Sequence, residues 1–115
     1  LYAGKEMYQE AAQAAAIAVQ LVPQDPVGWF NLGSILYASK NYLDAAAAFS
    51  RSVALVPEYS NAIFMLSLSY AQVGETDIAV STMERVAELN PGDVNVPLMI
   101  ANIKAKRDPF AGLKQ

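Results

Sequence analysis

Two consecutive stretches of equal length decide the fold. Residues 25–58 read DPVGWFNLGSILYASKNYLDAAAAFSRSVALVPE, and residues 59–92 read YSNAIFMLSLSYAQVGETDIAVSTMERVAELNPG. The 34-residue period extends toward the N-terminus, because Pro23, Pro57 and Pro91 are evenly spaced and each follows a leucine by two positions. A unit of this length cannot bury its apolar face alone, so successive units stack into a solenoid.

The composition favours one small helical domain. The chain has 115 residues, of which 54% are hydrophobic, and alanine is frequent. Alanine has the highest helix propensity, and the alternation of apolar and polar residues that marks strands is absent. We therefore predict an all-α fold that forms a single domain over residues 1–115.

Each unit is predicted to contain two helices. Asp25 is placed to cap a helix that starts with proline and runs over residues 26–39, since that residue pair suits a helix N-terminus. A second helix over residues 42–55 ends before Pro57, which restricts the residue preceding it. The next unit repeats this plan, with Gly74 at the turn between its helices.

The order of residue types in each unit resembles the tetratricopeptide repeat. That family's signature has a large apolar residue, then leucine and a small residue, an aromatic residue, alanine, a bulky apolar residue and a final proline. The matching residues are Trp29, Leu32, Gly33, Tyr42, Ala45, Phe49 and Pro57, and then Ile63, Leu66, Ser67, Tyr70, Ala79, Met83 and Pro91. The resemblance implies an α-α superhelix, a right-handed solenoid of antiparallel helix pairs with about six helices.

The two complete repeats have incomplete neighbours at both ends. The predicted segments are a partial repeat (1–24), two repeats (25–58 and 59–92), a capping helix (93–108) and a tail (109–115). The partial repeat matches mainly a second helix, and we expect its first helix to be reduced to a few residues around Tyr2. Because the chain starts at Leu1 rather than methionine, we expect it to be part of a longer protein.

The capping helix is predicted from Val94 to about Lys106. Its apolar side is expected to hold Leu98, Ile100, Ala101 and Ile103, and its water-facing side Asn102, Lys104 and Lys106. A polar outer face is what the last helix of a solenoid requires.

Small residues mark the closest approach of the helices within a repeat. Gly33, Ser67 and the two signature alanines are expected there, because a larger side chain would overpack the contact. Phe49 and Met83 are expected to fill the space between repeats. Trp29 is interpreted as a structural residue.

Charge and missing residue types exclude several classes of function. The chain contains no cysteine and no histidine, so Ser-His-Asp and Cys-His catalysis and thiolate metal sites are ruled out. Residues 1–100 carry four basic and ten acidic side chains, a net charge of −6, which disfavours nucleic acid binding. Residues 101–115 carry a net charge of +3, typical of a helix C-terminus. No apolar run is long enough to enter a membrane.

The remaining candidates for catalysis or metal binding are weak. Gly28 and Gly33 have part of the spacing of a phosphate loop, but the lysine is missing and the segment is helical. Glu84 and Glu88 share a helix face, which is interpreted as a solvated outer face. The sequence therefore predicts neither an enzyme nor a cofactor or metal site.

Binding remains, and the resemblance places it on the concave side, which the first helix of each repeat lines. The residues placed there are Val27, Phe30, Asn31, Ser34, Tyr37, Ala38, Asn61, Phe64, Met65, Leu68, Ala71, Gln72, Asn95, Leu98 and Asn102. Phe30 and Phe64 occupy equivalent positions, which predicts either two similar pockets or simple contacts between neighbouring helices. We expect a protein-interaction scaffold that holds an apolar or amphipathic peptide segment.

The alternative is a structural spacer or a self-association module, which forms a homo-oligomer through its N-terminal end. Members of the family that bind chaperones grip a peptide carboxylate with lysine, arginine and asparagine. Here only Asn31 matches that set, while Asn61 and Met65 stand where the cations are required. The sequence therefore argues against a carboxylate clamp.

The C-terminal sequence suggests a context for the domain. Residues 100–104, together with Asp108, Pro109 and Phe110, resemble the last helix of tetratricopeptide domains at the C-terminus of large bacterial membrane proteins, including ones similar to O-antigen ligases. Both a cytoplasmic and a periplasmic location agree with these residues.

Overall fold

The computed structural model describes residues 2–113, which form helices joined by short turns, with no strand among them. The helices are α1 (Tyr2–Leu21), α2 (Pro26–Ala38), α3 (Tyr42–Leu55), α4 (Ser60–Gln72), α5 (Thr76–Leu89) and α6 (Asn95–Lys104). Each helix packs against the next one in the chain, and α2 also contacts α4. This arrangement confirms the all-α helical repeat and its six helices within the described part of the chain.

Several helix boundaries follow the sequence signals. The carboxylate of Asp25 accepts a hydrogen bond of 3.0 Å from the amide of Val27, and Asp93 accepts one of 2.9 Å from the amide of Asn95. The residue before Pro57 is extended, with φ −133° and ψ 92°, and α3 ends there. Local chemistry therefore sets these boundaries.

The helices α2, α4 and α6 share one type of C-terminus. Lys40, Gly74 and Lys106 follow α2, α4 and α6 with φ values of 67°, 83° and 58°. In each case the amide of the next residue donates to the carbonyl five positions back, at 2.8, 2.9 and 2.8 Å. These are Schellman motifs, which reverse the chain after a helix.

The predicted close approach within each repeat is confirmed. A Cβ atom on Gly33 would lie 2.7 Å from the ring of Phe49, which is fully buried. In the next repeat the hydroxyl of buried Ser67 donates a 2.6 Å hydrogen bond to the carbonyl of Ala79. Met83 is fully buried at the position equivalent to Phe49.

Trp29 is a structural residue, as predicted. Its indole nitrogen donates to the carbonyl of Pro23 at 2.9 Å, and the guanidinium carbon of Arg51 lies 5.0 Å from the ring centroid. The side chain packs against the core cluster that contains Val19 and Leu32. These contacts join the N-terminal helix to the first complete repeat.

One expectation about the N-terminal end is wrong: Tyr2 does not belong to a remnant of a separate first helix, because α1 is continuous from Tyr2 to Leu21. The last helix, α6, ends at Lys104, within two residues of the predicted end, and the left-handed residue Lys106 completes the Schellman turn after it. Among residues 2–113 no helix combines the length and apolarity needed to cross a membrane.

The prediction of which α6 residues are buried and which face water also needs correction. Val96, Met99 and Ile103 form its buried stripe, at the three- and four-residue spacing of a helix face. Ala101, expected on the apolar side, is exposed. Asn102, expected to face water, has only 1% of its surface exposed.

Candidate functional site: the concave groove

The resemblance places the concave groove on α2, α4 and α6, the first helix of each repeat. Phe30, Phe64 and Leu98 occupy equivalent positions, one 34-residue period apart, and all three are half-buried. Phe30 packs on Phe49 with ring centroids 5.6 Å apart, and it stacks on Tyr59 at 5.3 Å and 22°. The ring of Phe30 is therefore packed between neighbouring rings, and no open pocket lies at this position.

Phe64 has a different neighbour. The ring of Phe110, from the segment after α6, lies edge-on to it with centroids 6.4 Å apart. Leu98, at the equivalent position of α6, lies beside the same segment, since a Cβ atom on Gly112 would be 3.8 Å from its Cδ2. Of the two alternatives, similar pockets or simple contacts, the structure shows contacts at both rings, and their partners differ.

A second row of equivalent positions shows how far the groove is covered. Ser34 on α2 is partly exposed, Leu68 on α4 is 3% exposed, and Asn102 on α6 is 1% exposed. Leu68 belongs to the core cluster against which Leu113 packs. Leu68 and Asn102 are therefore not available to a partner in this structure, which corrects their assignment as contact residues.

Asn102 holds the C-terminal segment in place. Its amide nitrogen donates to the carbonyls of Pro109 at 3.1 Å and Ala111 at 2.9 Å. Its amide oxygen accepts from two nitrogens of Arg107, at 3.3 and 3.2 Å. These bonds satisfy the buried amide, which would otherwise be costly to remove from water.

Tyr37 and Gln72 join α2 to α4 across the groove. The amide of Gln72 donates to the phenol oxygen of Tyr37 at 3.4 Å, and the ring of Tyr42 lies edge-on to Tyr37 at 5.1 Å. Burial is the main cause that raises the pKa of Tyr37 above its ordinary value of 10.0; Tyr42 and Asp108 raise it further, and the bond from Gln72 lowers it. The phenol is therefore a neutral group at physiological pH.

The remaining predicted residues lie along the more open half. Val27 is 51% exposed, Asn31 and Asn61 are exposed, and Met65 is half-buried. Asn95 is partly exposed at the start of α6, where its amide bonds to Asp93. This part of the surface therefore combines apolar side chains with exposed amides.

Two cavities flank the groove. One of about 490 Å³ lies between the end of α4 and the segment after α6, and its charged lining residues are Lys106, Arg107 and Asp108. Another of about 850 Å³ lies between α1, at Tyr8 and Ala12, and the turn after α2.

Sequence reasoning missed Phe110 and Leu113 as groove residues. The sequence analysis predicts only a tail there, but two large apolar side chains in so short a segment indicate that it packs against the helices.

Comparison with family models decides the identity of the fold. A tetratricopeptide repeat model matches residues 1–60, and another matches residues 60–93. The chain belongs to the tetratricopeptide repeat family. Domains of this family are generally non-catalytic interaction modules.

Curated tetratricopeptide relatives are much longer than this chain. Over 85 residues the chain is 31% identical to the peroxisomal targeting signal receptor of Komagataella phaffii, a match that covers 74% of this chain and 15% of the receptor. Over 84 residues it is 26% identical to superkiller protein 3 of Schizosaccharomyces pombe, covering 73% of this chain and 6% of that protein.

Solved structures of tetratricopeptide domains superpose well on this chain. The first TPR of Spaghetti (RPAP3), solved with the HSP90 peptide SRMEEVD, has a TM-score of 0.80 at 23% identity and covers 90% of this chain and 82% of its own. The TPR2B domain of yeast Sti1, in a complex with pHsp70, has a TM-score of 0.71 at 21% identity, with coverages of 91% and 86%. MamA has a TM-score of 0.77 at 25% identity, with coverages of 94% and 65%.

Proposed function

We propose that this domain is a protein-interaction scaffold that holds an apolar or amphipathic segment of a partner in its concave groove. The observation that carries the proposal is the open half of the groove. There Val27 is 51% exposed, and the half-buried Met65 lies on a helix that also carries the exposed amide of Asn61. Apolar side chains supply the binding free energy, and amides can bond to a peptide backbone.

The charges on the groove indicate how a partner is held. Asn61 and Met65 stand where a carboxylate clamp needs cations, and neither supplies a charge. A peptide is therefore bound along its side chains rather than by its C-terminal carboxylate. Burial of a few hundred Å² at about 25 cal/mol per Å², less the cost of ordering the peptide, gives roughly micromolar affinity.

The structural neighbours support this use of the fold. The Spaghetti (RPAP3) and Sti1 domains were solved with a peptide of HSP90 and with pHsp70. Their sequence identity to this chain is low, so they support the shape of the groove and leave the partner to be defined by the residues above. We also propose that the domain has no catalytic role and does not bind nucleic acid. The acidic net charge of residues 1–100 supports the second of these statements.

The test is a matched pair of charge substitutions. Val27→Glu places a carboxylate in the open half of the groove, whereas Leu43→Glu places one on α3, outside it. Both positions are the second residue of a helix, and both side chains are exposed, at 51% and 70%, so the effects on helix stability are equivalent. Short peptides are first selected from a displayed random library on the unaltered domain.

We expect the selected peptides to be rich in apolar residues. Val27→Glu should weaken their binding about tenfold, which corresponds to about 1.4 kcal/mol, and Leu43→Glu should leave it unchanged. Fluorescence anisotropy gives the dissociation constants. Equal binding by both variants would contradict the proposal, as would selection of peptides with a common acidic C-terminus.

Self-association is the second candidate function, and the surface of α1 favours it. Met7, Tyr8 and Ile17 are 66%, 44% and 56% exposed. Tyr8 also lines the cleft of about 850 Å³ between α1 and the turn after α2. Exposed apolar helix surface of this kind is a common basis of contacts between copies of a chain.

A further inference from the structure

The segment that follows α6 folds back over the groove that a partner would use. We call residues 107–113 the C-terminal segment. Its backbone forms a compact turn, in which the amide of Phe110 donates to the carboxylate of Asp108 at 2.9 Å. The amide of Ala111 donates to the carbonyl of Asp108 at 3.0 Å. This turn presents Phe110 and Leu113 on the side that faces the concave helices.

The contacts of the C-terminal segment are with predicted groove residues. Phe110 lies edge-on to Phe64 at 6.4 Å. Gly112 lies beside Leu98, and Leu113 packs against the cluster that contains Leu68. In this half of the groove the chain's own segment therefore occupies the surface that, in the other half, is open around Val27.

The two apolar side chains of the segment are buried to different extents, since Phe110 is half exposed and Leu113 packs against the core cluster that contains Leu68. Phe110 remains 50% exposed, and residues 107–113 form turns rather than a helix. Asn102 fixes its backbone through the carbonyls on either side of Phe110. The ring of Phe110 can therefore move away from Phe64 while Asn102 still holds the backbone of the segment.

We propose that the C-terminal segment is an intramolecular ligand of the groove, which a partner must displace. The displacing partner presents an aromatic side chain followed three residues later by an aliphatic one, the spacing of Phe110 and Leu113. This proposal rests on the proposed function, because it concerns the same groove. It adds that the surface next to Phe64 is occupied until a partner arrives.

Covalent attachment gives the segment its advantage. A tethered ligand has an effective concentration in the millimolar range, so weak contacts suffice to keep the site closed. The apparent affinity for a free peptide falls in proportion to the fraction of molecules that are open. If about nine molecules in ten are closed, removal of the aromatic side chain strengthens binding of the peptide about tenfold.

The experiment uses the full chain and a peptide copied from it. The probe is a synthetic peptide with the sequence of residues 107–113, RDPFAGL, and the control peptide is RDPAAGL. The protein variants are Phe110→Ala and Leu43→Ala. The second removes a side chain that is 70% exposed on α3, outside the groove. Dissociation constants are measured by isothermal titration, and circular dichroism reports whether each variant is folded.

We expect RDPFAGL to bind Phe110→Ala about tenfold more tightly than the unaltered chain or Leu43→Ala. RDPAAGL should bind none of them. Equal binding to the unaltered chain and Phe110→Ala overturns the proposal, and so does failure to bind folded Phe110→Ala. A lower melting temperature of Phe110→Ala without any change in affinity also overturns it, because the segment would then be a cap only.

The two proposals fail in different ways. Peptides selected from the random library report on the whole groove. If Val27→Glu weakens their binding and Phe110→Ala leaves it unchanged, the scaffold function stands and the competing role of the C-terminal segment is wrong. If Val27→Glu has no effect, the scaffold function itself is contradicted.

Discussion

At the scale of single residues, the two repeats solve one packing problem with different side chains. Gly33 leaves room for the flat ring of Phe49, which a Cβ atom would approach to 2.7 Å. The equivalent pair in the next repeat is Ser67 and Met83. A flexible methionine occupies the position of the ring, so there is room for a hydroxyl that bonds to the carbonyl of Ala79. Glycine and serine are therefore alternatives set by the neighbouring side chain.

Tyr37 makes the stability of the folded domain depend on pH in the alkaline range. Its pKa is raised in the folded state, mainly by burial, so the folded protein holds its proton more tightly than the unfolded chain. Above a pH of about 10 the unfolded chain loses this proton first, and stability falls as the pH rises. We expect Tyr37→Phe to reduce the fall in melting temperature above that pH, with little change at neutral pH. An equally steep fall in Tyr37→Phe and in the unaltered chain would contradict this prediction.

At the scale of elements, the turns after α2 and α4 need the same backbone but receive different residues. Lys40 has φ 67° where Gly74 has φ 83°. A side chain in the left-handed region costs roughly 1–2 kcal/mol, which glycine avoids. The motif is thus recognisable from the sequence at Gly74 and concealed at Lys40.

This difference predicts opposite effects of two substitutions. Lys40→Gly should raise the free energy of unfolding by up to about 1 kcal/mol, and Gly74→Ala should lower it by about 1 kcal/mol. A Cβ atom at residue 74 meets no atom within 4 Å, so the effect comes from the backbone alone. Urea denaturation measures both changes.

The matched control is Gly92→Ala. A Cβ atom there also meets nothing within 4 Å, and its φ lies outside the left-handed region. It should be neutral or slightly stabilising. Loss of stability in Gly92→Ala as large as in Gly74→Ala would show that the left-handed conformation is not the cause.

At the scale of the whole molecule, the described solenoid has contrasting ends. Beside α6 the C-terminal segment covers the concave surface, and Leu113 packs against the core. Along α1 large apolar side chains are exposed, with Met7 at 66%. The first arrangement resists further association at that end, and the second favours it.

The self-association candidate is tested by molecular mass. It predicts that mass measured by light scattering increases with concentration, and that Met7→Glu abolishes the increase because a carboxylate cannot be buried between copies. Ile78→Glu, at an exposed position of α5, should leave the increase intact. A constant monomeric mass at high concentration would contradict self-association.

The sequence alone determined the repeat and most of its elements. The 34-residue period, the Asp-Pro helix start and the prolines gave α3 at residues 42–55 and α2 to within one residue. These features are local, since caps, turns and helix faces depend on residues a few positions apart. The assignment of α2, α4 and α6 to a groove came from the resemblance to the tetratricopeptide repeat, and it stays a prediction.

Only the tertiary structure decided which part of that groove is open. The contact between Phe110 and Phe64, and the bonds from Asn102 that hold the segment, depend on where a Schellman turn directs the chain after α6. No periodic pattern encodes a contact between residues 46 positions apart. An asparagine therefore looked solvent-exposed in the sequence and is buried in the fold, because its hydrogen-bonding partners come from a segment outside the repeat.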